Sequence, residues 1–209
     1  MWRRSSAALL LLVGSLAAQQ RYESAEPHMG TLVKITLFVQ NEANSKEAFQ
    51  AAFARIHELD SKLSNYNQTS ELSSLRAGPP TPVSRDLYAL LATALRIAKR
   101  THFAYDITAG PLTELWRHRR IPTPEALAQA RAATGSQHLI LRNGTVQLTQ
   151  PGMRLDPGGI AKGYAAEEAL KVLYRMGIRR ALVAVSGDLA VGDPPPGRRG
   201  WTVAAQGRV

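Results

Sequence analysis

Leu155-Asp-Pro-Gly-Gly-Ile-Ala-Lys-Gly-Tyr164 brings a carboxylate, two adjacent glycines and a lysine to the predicted start of a helix. Paired glycines let backbone come close to a ligand, a helix N-terminus offers unpaired N–H groups, and Lys162 adds positive charge beside them. Such a corner suits a phosphorylated ligand. Asp156 is placed either to hold a polar ligand group or to help organise a metal. Upstream, Met153 to Leu155 reads as a short strand leading into the corner. Downstream, the spacing predicts a helix from Ile160 to Met176, stopped by Gly177 where a left-handed C-terminal glycine belongs.

Further out, the same alternation of strand and helix recurs. Val33, Ile35, Leu37 and Val39 lie at period two in a strand that begins at Gly30. Asn44 and Glu47 form a capping box for a helix from about Ser45 to Leu63, whose apolar residues Phe49, Phe53, Ile56, Leu59 and Leu63 keep helical spacing. The polar stretch Ser64 to Ser74 reads as a surface loop that opens a short helix. Pro79, Pro80 and Pro82 break the chain, Ser84 caps, and Leu87, Leu90, Leu91, Ala94, Leu95 and Ala98 mark a second amphipathic helix ending near Thr101. Thr123-Pro124 starts a third, which stops at Gly135. His138–Arg142 and Thr145–Thr149 flank Asn143-Gly144, the preferred pair for a two-residue primed hairpin turn. Arg180 to Ser186 is a buried strand, Gly187-Asp188 turns it, and Trp201 to Ala205 is predicted as another strand. The expected fold class is α/β in the α+β sense: a mixed, largely antiparallel sheet with flanking helices.

With 209 residues, 44% of them hydrophobic, the chain suits one elaborated domain. Residues 1–18 read as a secretory signal peptide. Arg3 and Arg4 form its basic region, Ala7 to Gly14 its short apolar core, and Ser15-Leu-Ala-Ala18 its small-residue cleavage site. Residues 19–209 then form the exported domain, periplasmic and at most peripherally attached to the membrane, since no cysteine is present to carry a lipid, a disulfide or a thiolate site. The net charge is +10, or +8 without Arg3 and Arg4, which favours acidic partners such as nucleotides and phosphates. Arg117-His-Arg-Arg120 and Arg198-Arg199 are the densest basic spots; neither is interleaved with aromatics, so a nucleic-acid groove has no support.

The standard nucleotide signatures are missing. No Gly-x-Gly-x-x-Gly follows a strand, and Lys162 is followed by Gly163 where a P-loop needs Ser or Thr. The five histidines contain no His-x-x-x-His pair for zinc, and Ser186 lacks a nucleophile elbow.

Four separated segments, in order, resemble one family. His28-Met-Gly-Thr31, Ser64-Asn-Tyr66 with Ser70-Glu-Leu-Ser73, Tyr105-Asp-Ile-Thr-Ala-Gly-Pro-Leu112 with Trp116, and Leu155 to Tyr164 with Ser186-Gly-Asp188 are similar to the ApbE family, the FAD:protein FMN transferases. The resemblance implies an exported enzyme that binds FAD and Mg2+, then moves FMN from FAD to a threonine or serine hydroxyl of an acceptor flavoprotein, releasing AMP. Position by position, Met29 resembles the residue that opens the FAD pocket, and Tyr66 the flavin-pocket tyrosine whose face can stack on a planar ring. Ala104, Tyr105 and Asp106 resemble the FAD-contacting turn, although a glycine usually precedes the apolar residue and aspartate, whereas here Thr101-His-Phe-Ala precedes Tyr105. Asp156 and Lys162 resemble FAD-binding positions, and Gly159 a backbone-carbonyl ligand of magnesium. The resemblance also places further metal ligands and a histidine-bearing segment beyond Val209, so the chain reads as C-terminally truncated. No general base is nominated. Two rival readings use the same pocket, an FAD pyrophosphatase giving FMN and AMP and a non-catalytic periplasmic flavin-binding protein.

Overall fold

The structure is a computed structural model and describes residues 18–117 and 121–204. The leader reading falls on residues 1–17, outside the described residues apart from Ala18, and His118 to Arg120 of the first basic spot also lie outside them.

A four-stranded antiparallel sheet is built from β1 (Gln20–His28), β2 (Thr31–Val39), β6 (Ala181–Val185) and β7 (Asp188–Val191), in the order β1-β2-β6-β7. Strand β1 was not anticipated, because an edge strand of Gln, Arg, Glu and Ser carries no apolar alternation. Its register is set instead by the two-residue turn Met29-Gly30, both at positive φ (52° and 68°), which pairs His28 with Thr31. Strand β7 was missed as well. The turn falls on Ser186-Gly187, with Ser186 at φ 59°, so Asp188 already belongs to the returning strand.

The period-two residues of β2 are buried on one face, where α1 (Glu42–Leu63) and α6 (Ala161–Arg175) cover the sheet. Alanines at 48 and 52 on α1 and at 166 and 169 on α6 keep the buried surfaces of both helices low. The cap of α1 is Asn41, which accepts from Asn44 N–H at 2.9 Å; the helix therefore starts three residues before the predicted capping box.

A second core gathers the end of α1 (Leu59, Leu63), α2 (Glu71–Ser74), α3 (Arg85–Arg100) and a three-stranded sheet, β3 (Thr81–Pro82), β5 (Thr145–Leu148) and β4 (Leu139–Arg142), in the order β3-β5-β4. Asn143 and Gly144 take the two positive φ values (48° and 77°) that the β4–β5 turn requires, and Gly177 ends α6 at φ 79°. Two further helices, α4 (Gly110–Arg117), absent from the sequence reading, and α5 (Pro124–Ala132), lie against each other. Met153 to Leu155 forms no strand; Met153 and Leu155 are instead buried in the second core. Trp201 to Ala204 is not a strand either. Trp201 meets Phe38 ring to ring in a tilted contact, with centroids 5.9 Å apart, and donates its indole N–H to Asp193 O at 3.1 Å, and Ala205 lies outside the described residues.

Helix α1 runs through both cores, and Met29 packs against both. The 155–164 corner sits at that junction, where Leu155 and Ala165 belong to the second core and Ala166 to the first.

Candidate active site

The corner is shaped by its own carboxylate. Asp156 accepts from Asn65 Nδ2 at 3.0 Å and from Gly158 N–H at 2.9 Å through Oδ1, and from Thr113 Oγ1 at 2.7 Å through Oδ2. Its own N–H donates to Ile107 O at 2.7 Å. One side chain thus ties together the loop after α1, helix α4, the 107–109 turn and the glycine pair.

Helix α6 then begins with no side-chain cap, whereas α1, α2, α3 and α5 carry Asn41, Ser70, Ser84 and Thr123 in that role. The Ile160 and Ala161 N–H groups turn back to Pro157 O at 2.9 and 2.8 Å, so the Lys162 amide and the positive end of the helix dipole are left to a ligand. They open on a cleft of about 710 Å³, within the usual range for small-molecule sites. Lys162, Gly158 and Ala161 form one wall; Met29, Asp60, Asn65 and Tyr66 belong to the others.

Met29 is held there by Asp60, whose Oδ2 accepts the Met29 N–H at 2.9 Å and so fixes the left-handed turn at the cleft mouth. Tyr66 is 77% exposed, with the Arg117 guanidinium 4.8 Å from its ring centroid. Gly159 borders the opposite side of the corner, and a Cβ there would lie 2.8 Å from Tyr105 Cε2, so only glycine lets that ring close against the backbone.

The 104–106 turn follows two left-handed residues, His102 (φ 51°) and Phe103 (φ 63°); the Phe103 N–H reaches back to Ala98 O at 2.8 Å and closes α3. Ala104 is exposed. Asp106 turns its carboxylate inward, accepting from Thr108 N–H (2.9 Å) and Oγ1 (2.7 Å) and from Ser136 N–H (3.1 Å) and Oγ (2.7 Å). It fastens the turn to the segment before β4, and any ligand contact at this residue falls to its backbone. Tyr105 has its hydroxyl buried without a hydrogen-bond partner, and burial, with the charges of Asp156 and Asp106, pushes the phenol up to about 12.

The model of the ApbE family matches residues 29–208. The chain belongs to the ApbE family. Among curated ApbE-type proteins, the FAD:protein FMN transferase of Vibrio cholerae is 30% identical over 198 residues, covering 90% of this chain and 59% of its own length. That of Treponema pallidum is 31% identical over 191 residues, covering 84% and 53%. A solved structure of the flavin transferase ApbE from Vibrio cholerae aligns with a TM-score of 0.80 at 28% identity, over 85% of this chain and 60% of that one. The ApbE protein from Thermotoga maritima aligns at 0.77 and 27%, over 86% and 61%. The chain therefore spans a little over half the length of the curated relatives it matches.

Within this ApbE fold, the structure brings Met29, Tyr66 and Lys162 to one cleft, with Asp156 holding its floor, and sets Ala104, Tyr105, Asp106 and Gly159 behind the corner. Asn65, Thr113, Asp60 and His57 were not singled out by sequence. Asn65 lay inside a quoted motif, and His57 and Asp60 are one helical turn apart and both face the cleft; that i, i+3 spacing, ending just before Ser64, was the available signal. Tyr105→Phe gives one test of the geometry. Removing an unpartnered buried hydroxyl that does not reach the cleft should leave the melting temperature unchanged or slightly higher and FAD affinity, read by flavin fluorescence, within about twofold of the parent.

Proposed function

We propose that this chain carries the FAD-binding part of an FAD:protein FMN transferase, which moves FMN from FAD to a Ser or Thr hydroxyl of an exported or membrane flavoprotein and releases AMP. The observation that carries the reading is the uncapped N-terminus of α6 with Lys162 beside it, opening on the cleft; the names of the relatives supply the reaction.

The diphosphate lies against the positive end of α6 and Lys162, which offset its charge in the ground state and as the bridging oxygen departs. Tyr66 offers a ring face to the flavin, and the Met29-Gly30 turn closes the mouth. An acceptor hydroxyl attacks the FMN-side phosphorus in line: the new P–O bond forms as the bond to the AMP oxygen breaks, and the hydroxyl proton is released. Magnesium, when bound, neutralises the diphosphate. The resemblance makes the Gly159 carbonyl the proposed protein ligand, an oxygen donor of the kind a hard cation requires, on the far side of the corner from the cleft. Among the described residues there is no group of three or more His, Cys, Asp or Glu that could hold a metal ion.

The leader reading supports export to the periplasm. No helix among the described residues is long and apolar enough to cross a membrane.

Incubating the protein with FAD, magnesium and a candidate flavoprotein tests the proposal. Covalent FMN on the acceptor, seen by mass spectrometry with equimolar AMP, is the expected result. Free FMN with AMP would identify a pyrophosphatase instead, and FAD retained intact would identify a binding protein.

A further inference from the structure

Beside the cleft, beyond Asn65 and Tyr66, a second groove of about 560 Å³ runs over the surface. Three arginines from distant parts of the chain converge on it: Arg76 after α2, Arg117 at the end of α4, and Arg154 just before the corner. Glu114 is the one acidic residue lining it among the described residues, and it pairs with Arg117 at 2.9 Å.

Local structure holds the Arg76 and Arg117 cations in place and fixes the backbone that carries Arg154. Arg76 donates through Nη1 to Ser73 O and, at 2.8 Å, to Leu75 O. Arg117 lies over Tyr66. The backbone of Arg154 runs so close to the buried Gly110 that a Cβ there would come within 2.5 Å of Arg154 O. Guanidinium groups held in this way lose little entropy on binding and present paired N–H donors to carboxylates.

We propose that this groove is a docking channel for an acidic segment of the acceptor polypeptide, which brings the neighbouring hydroxyl to the cleft. The proposal rests on the transferase reading, because only that reaction requires a polypeptide at this site. A nucleotide fits the groove poorly. Its one aromatic lining residue, Tyr66, has Arg117 against one face and in the transferase reading gives the other to the flavin, so a base in the groove has no further ring to stack on. An extended, open, cationic channel suits a peptide chain bearing Asp or Glu.

The probe is a labelled peptide with one threonine flanked by aspartates, beside a control in which asparagines replace them. Binding is read by fluorescence anisotropy with FAD present, and FAD binding is read separately by flavin fluorescence. The acidic peptide should bind at least about tenfold more tightly than the control, with affinity falling as salt rises. Arg154→Glu, at an exposed position, should weaken the peptide by about tenfold or more and leave FAD affinity within about twofold. Equal binding of the two peptides, or no binding of either while FAD binds, overturns the channel and leaves the FAD site standing. Loss of FAD affinity in Arg154→Glu assigns the groove to the nucleotide and also overturns the proposal. Failure of the parent chain to bind FAD counts instead against the cleft.

Discussion

Asp156→Ala is expected to lower FAD affinity at least about 100-fold and to destabilise the fold by about 2–3 kcal/mol. Three donors from three parts of the chain end on this one carboxylate, at 2.7 to 3.0 Å. Hydrogen bonds to a charged acceptor contribute about 1.5–3 kcal/mol each, and a donor left buried without a partner costs a similar amount. Thr113 is exposed and can turn to water, so the full sum will not appear. The glycine pair and the loop bearing Tyr66 lose their common anchor, and the cleft loses its shape. Urea unfolding and a flavin-fluorescence titration separate the two effects; an unchanged FAD affinity would mean that the corner is not the diphosphate site.

Asp156→Asn separates charge from shape. The amide oxygen can still accept from Asn65 and from the Gly158 N–H, and the Thr113 hydroxyl, which also donates to Gly110 O at 3.1 Å, can accept from the new NH2 group. Stability should therefore fall by less than about 1 kcal/mol. A bare carboxylate beside a diphosphate is repulsive, and a cation between them reverses the sign. The asparagine variant should thus bind FAD more tightly than the parent without magnesium and less tightly with it. Equal affinity under both conditions would separate Asp156 from any metal.

The elements that sequence exposed are those whose side chains report their own burial. Val33, Ile35 and Leu37 alternate because one face of β2 is covered, and Asn143-Gly144 announces its turn because few other pairs tolerate two positive φ values. Strand β1 was invisible for the opposite reason: an edge strand buries little, and its place comes from β2 and the Met29-Gly30 turn. At the site, the glycines and Lys162 were legible as a local cluster. The hold that Asn65 and Thr113 have on Asp156 was not, since these residues lie 91 and 43 positions away and meet only after α1, α4 and the corner have packed. Asp106 shows the converse. Its place in a motif suggested ligand contact, and its carboxylate is engaged by Thr108 and Ser136 in fixing the turn.

Arg55→Ala is expected to cost about 3–5 kcal/mol, the usual penalty for breaking a largely buried ion pair from one side. Arg55 lies on α1 and joins Asp86 on α3, at 2.5 and 3.0 Å, to Glu168 on α6, at 2.7 Å, with the three side chains only 16%, 13% and 15% exposed. Removing the guanidinium leaves two carboxylates in poorly solvated positions, opposed by Lys62 and Lys171. Arg55→Lys should recover only part of the loss, because a single ammonium cannot span both carboxylates in the same geometry. The network also has a pH signature. Hydrogen bonds from Arg55, then Lys62, hold the Asp86 carboxyl at about 2, and Glu168 and Glu58 are lowered as well. Carboxylates depressed in the folded state stabilise it above their unfolded pKa near 4 and lose that contribution as pH falls through the folded value. The parent should therefore lose about 1–2 kcal/mol between pH 4 and pH 2 on account of Asp86 alone, and Arg55→Ala should show a much flatter profile. Helix α6 carries Lys162 at one end and Glu168 further along, so the same variant, assayed well below its melting temperature, should also bind FAD several-fold more weakly. If affinity stays unchanged while stability falls, the network holds the helices together without setting the position of the corner.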